Sequence, residues 1–360
     1  MKILKSVDWQ LLCPALVLTT IGLLSIYSSS VSRGNFLDFK KQFVYFAVSL
    51  LFFFLILRID LRFLKINSYF VLAVYLIFLV LLVGLFFIAP LTRGIRGWYK
   101  LGPVSFDPEP LAAVSLIILL SKYFSFRHTE IKSAKPILAS AVYALAPFLL
   151  IFFQPDFGSA VCFGAIWFGI IIFSGTRLKQ LLIIFLILVL LAGFSWQFLL
   201  KDYQKVRVLS FLNPDFDPKG ASWSVNQSRI AIGSAGFWGK GLTKGPQTQY
   251  GFLTEPKTDF IFSAWIEETG FLGALALFGA LFFLFRQIIG LAFLQKSNFS
   301  RLFAAGFAFF FLTQATINIA MCLGLLPVIG IPLPLVSYGG NQLLAFYIGL
   351  GILNSLELRG

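Results

Sequence analysis

Apolar runs of about 20 residues recur along this 360-residue chain, and no other feature restricts its fold so tightly. A helix of that length crosses about 30 Å of hydrocarbon. Inside lipid, only a helix or a closed barrel satisfies its own backbone. Ten runs read as spans: 10–28, 41–57, 67–89, 108–125, 136–153, 157–174, 181–200, 261–285, 301–322 and 338–355. The expected fold is an all-α polytopic membrane protein, one integral membrane domain over 1–360. A large loop, 201–262, separates spans seven and eight. Only 12% of residues are charged, against about 25% in a soluble domain. Met1-Lys2-Ile3-Leu4-Lys5 resembles the start of a signal peptide. No small-residue cleavage site follows the first run, which is therefore read as a retained span.

An even number of spans puts both termini on one side. Short loops on that side hold fifteen Lys and Arg residues, from Lys2 and Lys5 to Arg301 and Arg359; the opposite short loops hold six, Arg33, Lys40, Lys41, Arg93, Arg96 and Lys100. The positive-inside rule then places both termini in the cytoplasm. The net charge of +14 is spread over many loops. That pattern suits an anionic membrane surface or an anionic lipid substrate, and not nucleic acid. Cys13, Cys162 and Cys322 are isolated in apolar runs and read as small hydrophobes. With one histidine, His128, in a basic loop, neither a zinc site nor a Ser-His-Asp triad can be assembled.

Eleven of the fifteen acidic residues fall on the outer side or in the outer half of a span. Asp259 stands where the large loop re-enters the membrane. A charge there costs several kcal/mol, about 2.5–3.5 on insertion scales, and marks either function or a helix N-cap. Gln154-Pro155-Asp156-Phe157-Gly158 joins two spans with almost no linker. The run from Gly324 to Gly340 is apolar, yet Pro327, Pro332 and Pro334 bar a continuous helix. Such backbone is tolerated at membrane depth where it is buried or lines a wet cavity. It is read as the re-entrant wall of an outward-facing cavity.

Several long motifs resemble the SEDS family (shape, elongation, division and sporulation) over nearly the whole chain. They are Arg207 to Pro214, Gln227 to Gly236, Gly239-Lys240-Gly241, Tyr250 to Leu253, Thr258-Asp259-Phe260-Ile261-Phe262 and Glu267 to Gly273. Asn318 to Met321 and Gly330 to Pro334 are more similar to the RodA branch than to the division branch. The resemblance implies a peptidoglycan glycosyltransferase of the bacterial cytoplasmic (inner) membrane that polymerises lipid II during cell elongation. Undecaprenyl pyrophosphate would be the leaving group. Implied partners are a class B penicillin-binding protein, which supplies the transpeptidase, and other membrane proteins of the rod complex.

The family's essential aspartate falls on Asp259, and its Gln-Pro-Asp aspartate falls on Asp156. Where the family opens its fourth span with Gln-Pro-Ser-Glu and a later Lys, this chain has Asp107-Pro108-Glu109-Pro110-Leu111-Ala112-Ala113. Pro110 and Ala113 replace the glutamate and the lysine, and Glu109 is the candidate substitute carboxylate. Asn341 replaces the family's serine after Ser-Tyr-Gly-Gly.

Sugar transfer needs a base for the acceptor hydroxyl and positive charge where the diphosphate leaves. Asp259 is the candidate base, with Asp156 and Glu109 as further catalytic carboxylates. Arg93, Arg96, Lys100, Arg207, Arg229 and Lys240 are candidate diphosphate contacts or headgroup anchors, with Arg96 and Arg229 the single choices. No cofactor is evident, and a divalent cation such as Mg or Mn is compatible with the chemistry. A lipid II flippase and a non-catalytic scaffold are the alternatives.

Overall fold

Each of the ten apolar runs folds as a helix. The structure, a computed structural model, describes residues 6–32, 34–91, 96–102, 104–127, 134–198, 202–213 and 220–359. In chain order come α1 (Trp9–Val31), α2 (Leu37–Arg58), the short α3 (Arg62–Ile66) and α4 (Ser68–Ile88). A hairpin follows, β1 (Tyr99–Leu101) against β2 (Val104–Phe106), with Tyr99 opposite Phe106. Then come α5 (Glu109–Phe126), α6 (Ala134–Phe153), α7 (Phe157–Ser174) and α8 (Leu178–Phe198). The large loop carries α9 (Asp202–Leu212), α10 (Ala221–Ser234) and α11 (Pro246–Gln249), and α12 (Ile261–Leu294), α13 (Asn298–Leu323) and α14 (Gly340–Arg359) complete the chain.

Among the described residues, eight helices are long and apolar enough to cross a membrane: α1, α2, α4, α5, α6, α7, α12 and α13. The remaining two expected spans are α8 and α14. Within α8, the stretch Leu178–Ile187 is a shorter apolar helix. Its Leu182, Ile183, Phe185 and Leu186 are exposed, as lipid-facing side chains would be. By contrast, α14 carries Gln342, Asn354 and Ser355, all buried. It packs chiefly on α2 inside the bundle, so these polar groups meet protein and not lipid.

Both described termini sit at one end of the bundle. The Asp8 amide donates to Asn354 Oδ1 at 3.1 Å, and Asn354 Nδ2 donates to the Ser6 carbonyl at 3.2 Å. Gln287 Nε2 adds a bond to Asp8 Oδ2 at 2.9 Å. Asp8 also caps α1, accepting from the Gln10 amide at 2.8 Å, a role Ser, Thr, Asp and Asn fill best.

At the opposite end the apolar run after α13 turns back into the protein. Ile331, Leu333, Leu335 and Val336 are buried. A Cβ on Gly22 would collide with the Val336 carbonyl, so only glycine lets α1 lie against this backbone. Gly22 is nine residues before the end of α1, which puts Val336 roughly 13–14 Å below that helix end at 1.5 Å per residue. The expectation of a re-entrant segment is met.

The span expected at 261–285 is longer and is broken. Within α12, Gly270 has φ 68° and ψ −158°, outside the helical region. The loop after α10 docks into the break. Phe271 N donates to Gly236 O at 3.0 Å, and Lys240 and Gly241 donate to the carbonyls of Glu267 and Glu268, each at 2.9 Å. The same loop satisfies two buried acids. Glu267 accepts from Gln247 N (2.6 Å), Thr248 N (3.0 Å) and the Thr248 hydroxyl (2.7 Å). Glu268 accepts from Ser28 Oγ (2.5 Å) and Gln249 Nε2 (2.9 Å). Buried carboxylates require such partners. These two are therefore structural ties between loop and bundle.

Candidate functional site

Asp259 closes the loop that leads into α12, and its main chain is held from two sides. Asn318 Nδ2 on α13 donates to the Asp259 carbonyl at 2.9 Å and to the Ile331 carbonyl at 2.7 Å. One buried amide thus joins the loop to the re-entrant segment. Ser337 Oγ donates to the Thr258 carbonyl at 2.7 Å and accepts from Leu333 N at 2.8 Å. Tyr338 N donates to the Lys257 carbonyl at 2.8 Å. Three consecutive carbonyls, of residues 257, 258 and 259, are therefore each engaged. Asn318 lies five residues before the end of α13, roughly 8 Å inside the bundle. Asp259 is half-buried. A Cβ on Gly330 would stand 3.7 Å from its Oδ2, so the carboxylate faces the re-entrant backbone.

Three other carboxylates form a second group. Asp107, Glu109 and Asp156 line one pocket with Leu85, Gly97, Trp98, Ile151 and Gln154. The hairpin brings Gly97 and Trp98 there, anchored by the Tyr99 hydroxyl donating to Leu81 O of α4 at 2.6 Å. Gln154 Nε2 ties the α6–α7 link to α4 through Leu82 O at 2.7 Å. Asp156 caps α7, accepting from Ser159 N (3.1 Å) and Ser159 Oγ (2.9 Å). Asp107 accepts from Glu109 N at 3.0 Å, which orients the first residue of α5. At α7 a Cβ on Gly158 would meet Ile329 O and Ile331. The segment 329–331 therefore lies against Gly158 of α7 and against Asp259. The structure brings Asp156 and Glu109 together in one pocket that Asp259 does not line.

No lysine or arginine lines this pocket among the described residues. The acids meet each other instead. Burial pushes the Asp107 carboxyl up to about 7, and the charge of Asp156 pushes in the same direction against the Glu109 amide bond. Burial also raises Asp156 above the usual carboxylate range. A carboxyl with a raised folded-state pKa binds its proton more tightly folded than unfolded. Its contribution is therefore best at low pH, and stability falls as pH rises from the unfolded value near 3.9 through about 7. Asp107→Asn keeps the acceptor for Glu109 N and removes the charge. Its gain in unfolding temperature should be larger at pH 8 than at pH 5. Equal gains at both pH values, followed by circular dichroism in detergent, would contradict this environment for Asp107.

The basic candidates separate. Arg96 Nη1 donates to Phe86 O in the last turn of α4 at 2.5 Å, so this residue caps a helix end. Arg229 on α10 is exposed, and its stem lies over Gly324 at the head of the re-entrant run. Lys100 on β1 and Lys240 in the docked loop are exposed. Arg93 lies outside the described residues, and of Arg207 only the backbone, within α9, is described. Asn341 Nδ2 donates to Ser105 O at 3.2 Å, joining the head of α14 to the hairpin.

Sequence reasoning missed Lys257, which is 7% exposed and paired with Asp38, and the anchoring role of Asn318. A lysine two residues before an intramembrane aspartate, and an aspartate on the first turn of an apolar helix, were the signals available. Among the described residues, no group of three or more His, Cys, Asp and Glu side chains is arranged to hold a metal ion.

The sequence profile of the FtsW/RodA/SpoVE family of cell cycle proteins matches residues 8–359. The peptidoglycan glycosyltransferase MrdB of Escherichia coli K12 is 33% identical over 283 residues, 79% of this chain and 76% of that protein. A solved chain described under the structural coordination of polymerization and crosslinking by a peptidoglycan synthase complex has a TM-score of 0.84 at 29% identity; the match covers 98% of this chain and 97% of that one. The rod shape determining protein RodA of Thermus thermophilus has a TM-score of 0.71 at 27% identity, over 98% of this chain and 96% of that one.

Proposed function

The chain belongs to the FtsW/RodA/SpoVE family and is a peptidoglycan glycosyltransferase, and from that premise we propose that it polymerises lipid II with Asp259 as general base. The position of Asp259 carries the reading. Its main chain is clamped by Asn318 and backed by the re-entrant segment, while its carboxylate stands at the mouth of a buried helix. A base fixed in that way takes the proton from the acceptor hydroxyl as the oxygen attacks the anomeric carbon. The bond from that carbon to the diphosphate oxygen breaks, and undecaprenyl pyrophosphate leaves.

Glu109 and Asp156 shape and polarise the neighbouring pocket. A divalent cation such as Mg or Mn, where the reaction uses one, arrives with the substrate diphosphate; chelation tests for it. A class B penicillin-binding protein is the proposed partner, in keeping with the peptidoglycan synthase complex to which the chain is similar, and other rod-complex membrane proteins complete the assembly. Glycan strands made from lipid II by the purified protein, with and without that partner, test the reading. Failure to make polymer under either condition would overturn it.

The site end of the bundle is proposed to face out of the cytoplasm, with both termini inside, because short-loop Lys and Arg favour that orientation. Trp238 is 75% exposed in the docked loop. A Trp238→Cys variant on a Cys13→Ser background should react with an impermeant maleimide on intact cells. Labelling only after lysis would reverse the topology.

Arg229 is the proposed diphosphate contact, since it leans over Gly324 where the re-entrant wall begins. A guanidinium binds a diphosphate as a planar fork that an ammonium cannot copy. Arg229→Lys should therefore lower kcat/KM by about tenfold, the worth of one charge-assisted bond of roughly 1.5 kcal/mol. Arg96→Lys should cost little activity, because its described bond is to a helix-end carbonyl. Steady-state rates on lipid II separate the two.

A further inference from the structure

We propose that Lys257 is a positioning residue for Asp259, acting through its ion pair with Asp38 at the head of α2. This rests on the reading of Asp259 as the base. Lys257 Nζ lies 2.8 Å from Asp38 Oδ2, and the Lys257 side chain is 9% exposed where that of Asp38 is 42% exposed. A lysine so buried needs its counter-charge, so Asp38 decides where the side chain goes. Two residues later the chain presents Asp259.

The pair belongs to a larger polar face on α2. Asp38, Gln42 and Tyr45 recur at i, i+4 and i+7, the spacing of one helix face. Gln42 Oε1 accepts from Gly339 N at 3.1 Å, and its Nε2 donates to Ser337 O at 3.4 Å. The ring of Tyr45 fills the space beside Gly340. Ser337 and Tyr338 in turn hold the carbonyls of Thr258 and Lys257. Thus α2 grips the Asp259 loop twice, directly through Lys257 and indirectly through residues 337–339. Without the ion pair, the loop keeps its carbonyl bonds to the re-entrant segment but loses its side-chain tie to α2.

Lys257 is also the lysine nearest Asp259 in sequence, which raises direct contact with the substrate diphosphate as a rival. Its burial and its short bond to Asp38 argue against that role. To reach a ligand it would have to leave the pair. The two roles give different kinetics. A positioning residue moves kcat, and a ground-state contact moves KM.

The test uses full-length protein with purified lipid II, reading kcat, KM and unfolding temperature. Lys257→Gln and Asp38→Asn should each lower kcat by about 10- to 100-fold, the scale of a small misplacement of a catalytic group, with KM unchanged. The charge reversal Lys257→Glu with Asp38→Lys should recover most of the loss. If the reversed protein does not fold, the neutral double variant should be no slower than the slower single variant, because the pair acts as one unit. Wild-type kcat in either single variant, a rise in KM alone, or additive losses in the neutral double would overturn the inference and leave Asp259 in place. Polymer made by Asp259→Asn would remove the base and the inference with it.

Discussion

Asp259→Asn should abolish glycan polymerisation while the protein inserts, folds and binds its partner as before. The change keeps the size of the side chain and removes its capacity to take a proton. The bonds that hold this segment run through the carbonyls of Lys257, Thr258 and Asp259 to Tyr338, Ser337 and Asn318. These three main-chain bonds remain when the carboxylate becomes an amide. General base catalysis is worth about 10²–10⁴ in rate, and a loss in that range leaves no polymer on a gel. Wild-type polymer from this variant would move the base elsewhere. Partial polymer with a raised KM would make Asp259 a binding residue instead.

The second large effect is expected at Glu109. It lines one pocket with Asp107 and Asp156, and no cation lines that pocket among the described residues. Where the family carries a glutamate and a lysine, Pro110 and Ala113 stand here. The carboxylate has moved one position towards the helix start, and its neighbours are acids. Glu109→Gln should lower turnover by about 10²-fold, the scale lost when a single electrostatic group of a reaction site is removed. Asp107→Asn should cost less, since asparagine still accepts the Glu109 amide. Full activity in both variants would show that the pocket only packs α5 against α7.

The spans were legible because lipid demands long apolar helices, and the ten expected runs coincide with ten helices to within a few residues except at α12. The re-entrant run was legible for a complementary reason. Three prolines in an apolar stretch cannot be helix and cannot face lipid, and Val336 against Gly22 is the outcome. The break at Gly270 was hidden, because Glu267 to Gly273 sits in a run long enough to span uninterrupted. What breaks it is a loop some thirty residues upstream, whose Gly239 must approach the Glu268 carbonyl. Lys257 and Asp38 are 219 positions apart, and no local pattern pairs them. The grouping of Asp156 with Asp107 and Glu109 likewise depends on how α5 packs on α7. Arg96 read as a diphosphate contact or headgroup anchor because its partner is a main-chain carbonyl, and every residue offers one of those.

Forming glycosidic bonds is a different activity from merely moving a lipid across the bilayer. Fluorescent lipid II in sealed vesicles containing only this protein distinguishes the two, read by gel for chain length and by dye quenching for sidedness. Wild-type protein should give glycan ladders and Asp259→Asn none. Lipid II that crosses the bilayer and stays monomeric, with or without the penicillin-binding partner, would contradict this expectation.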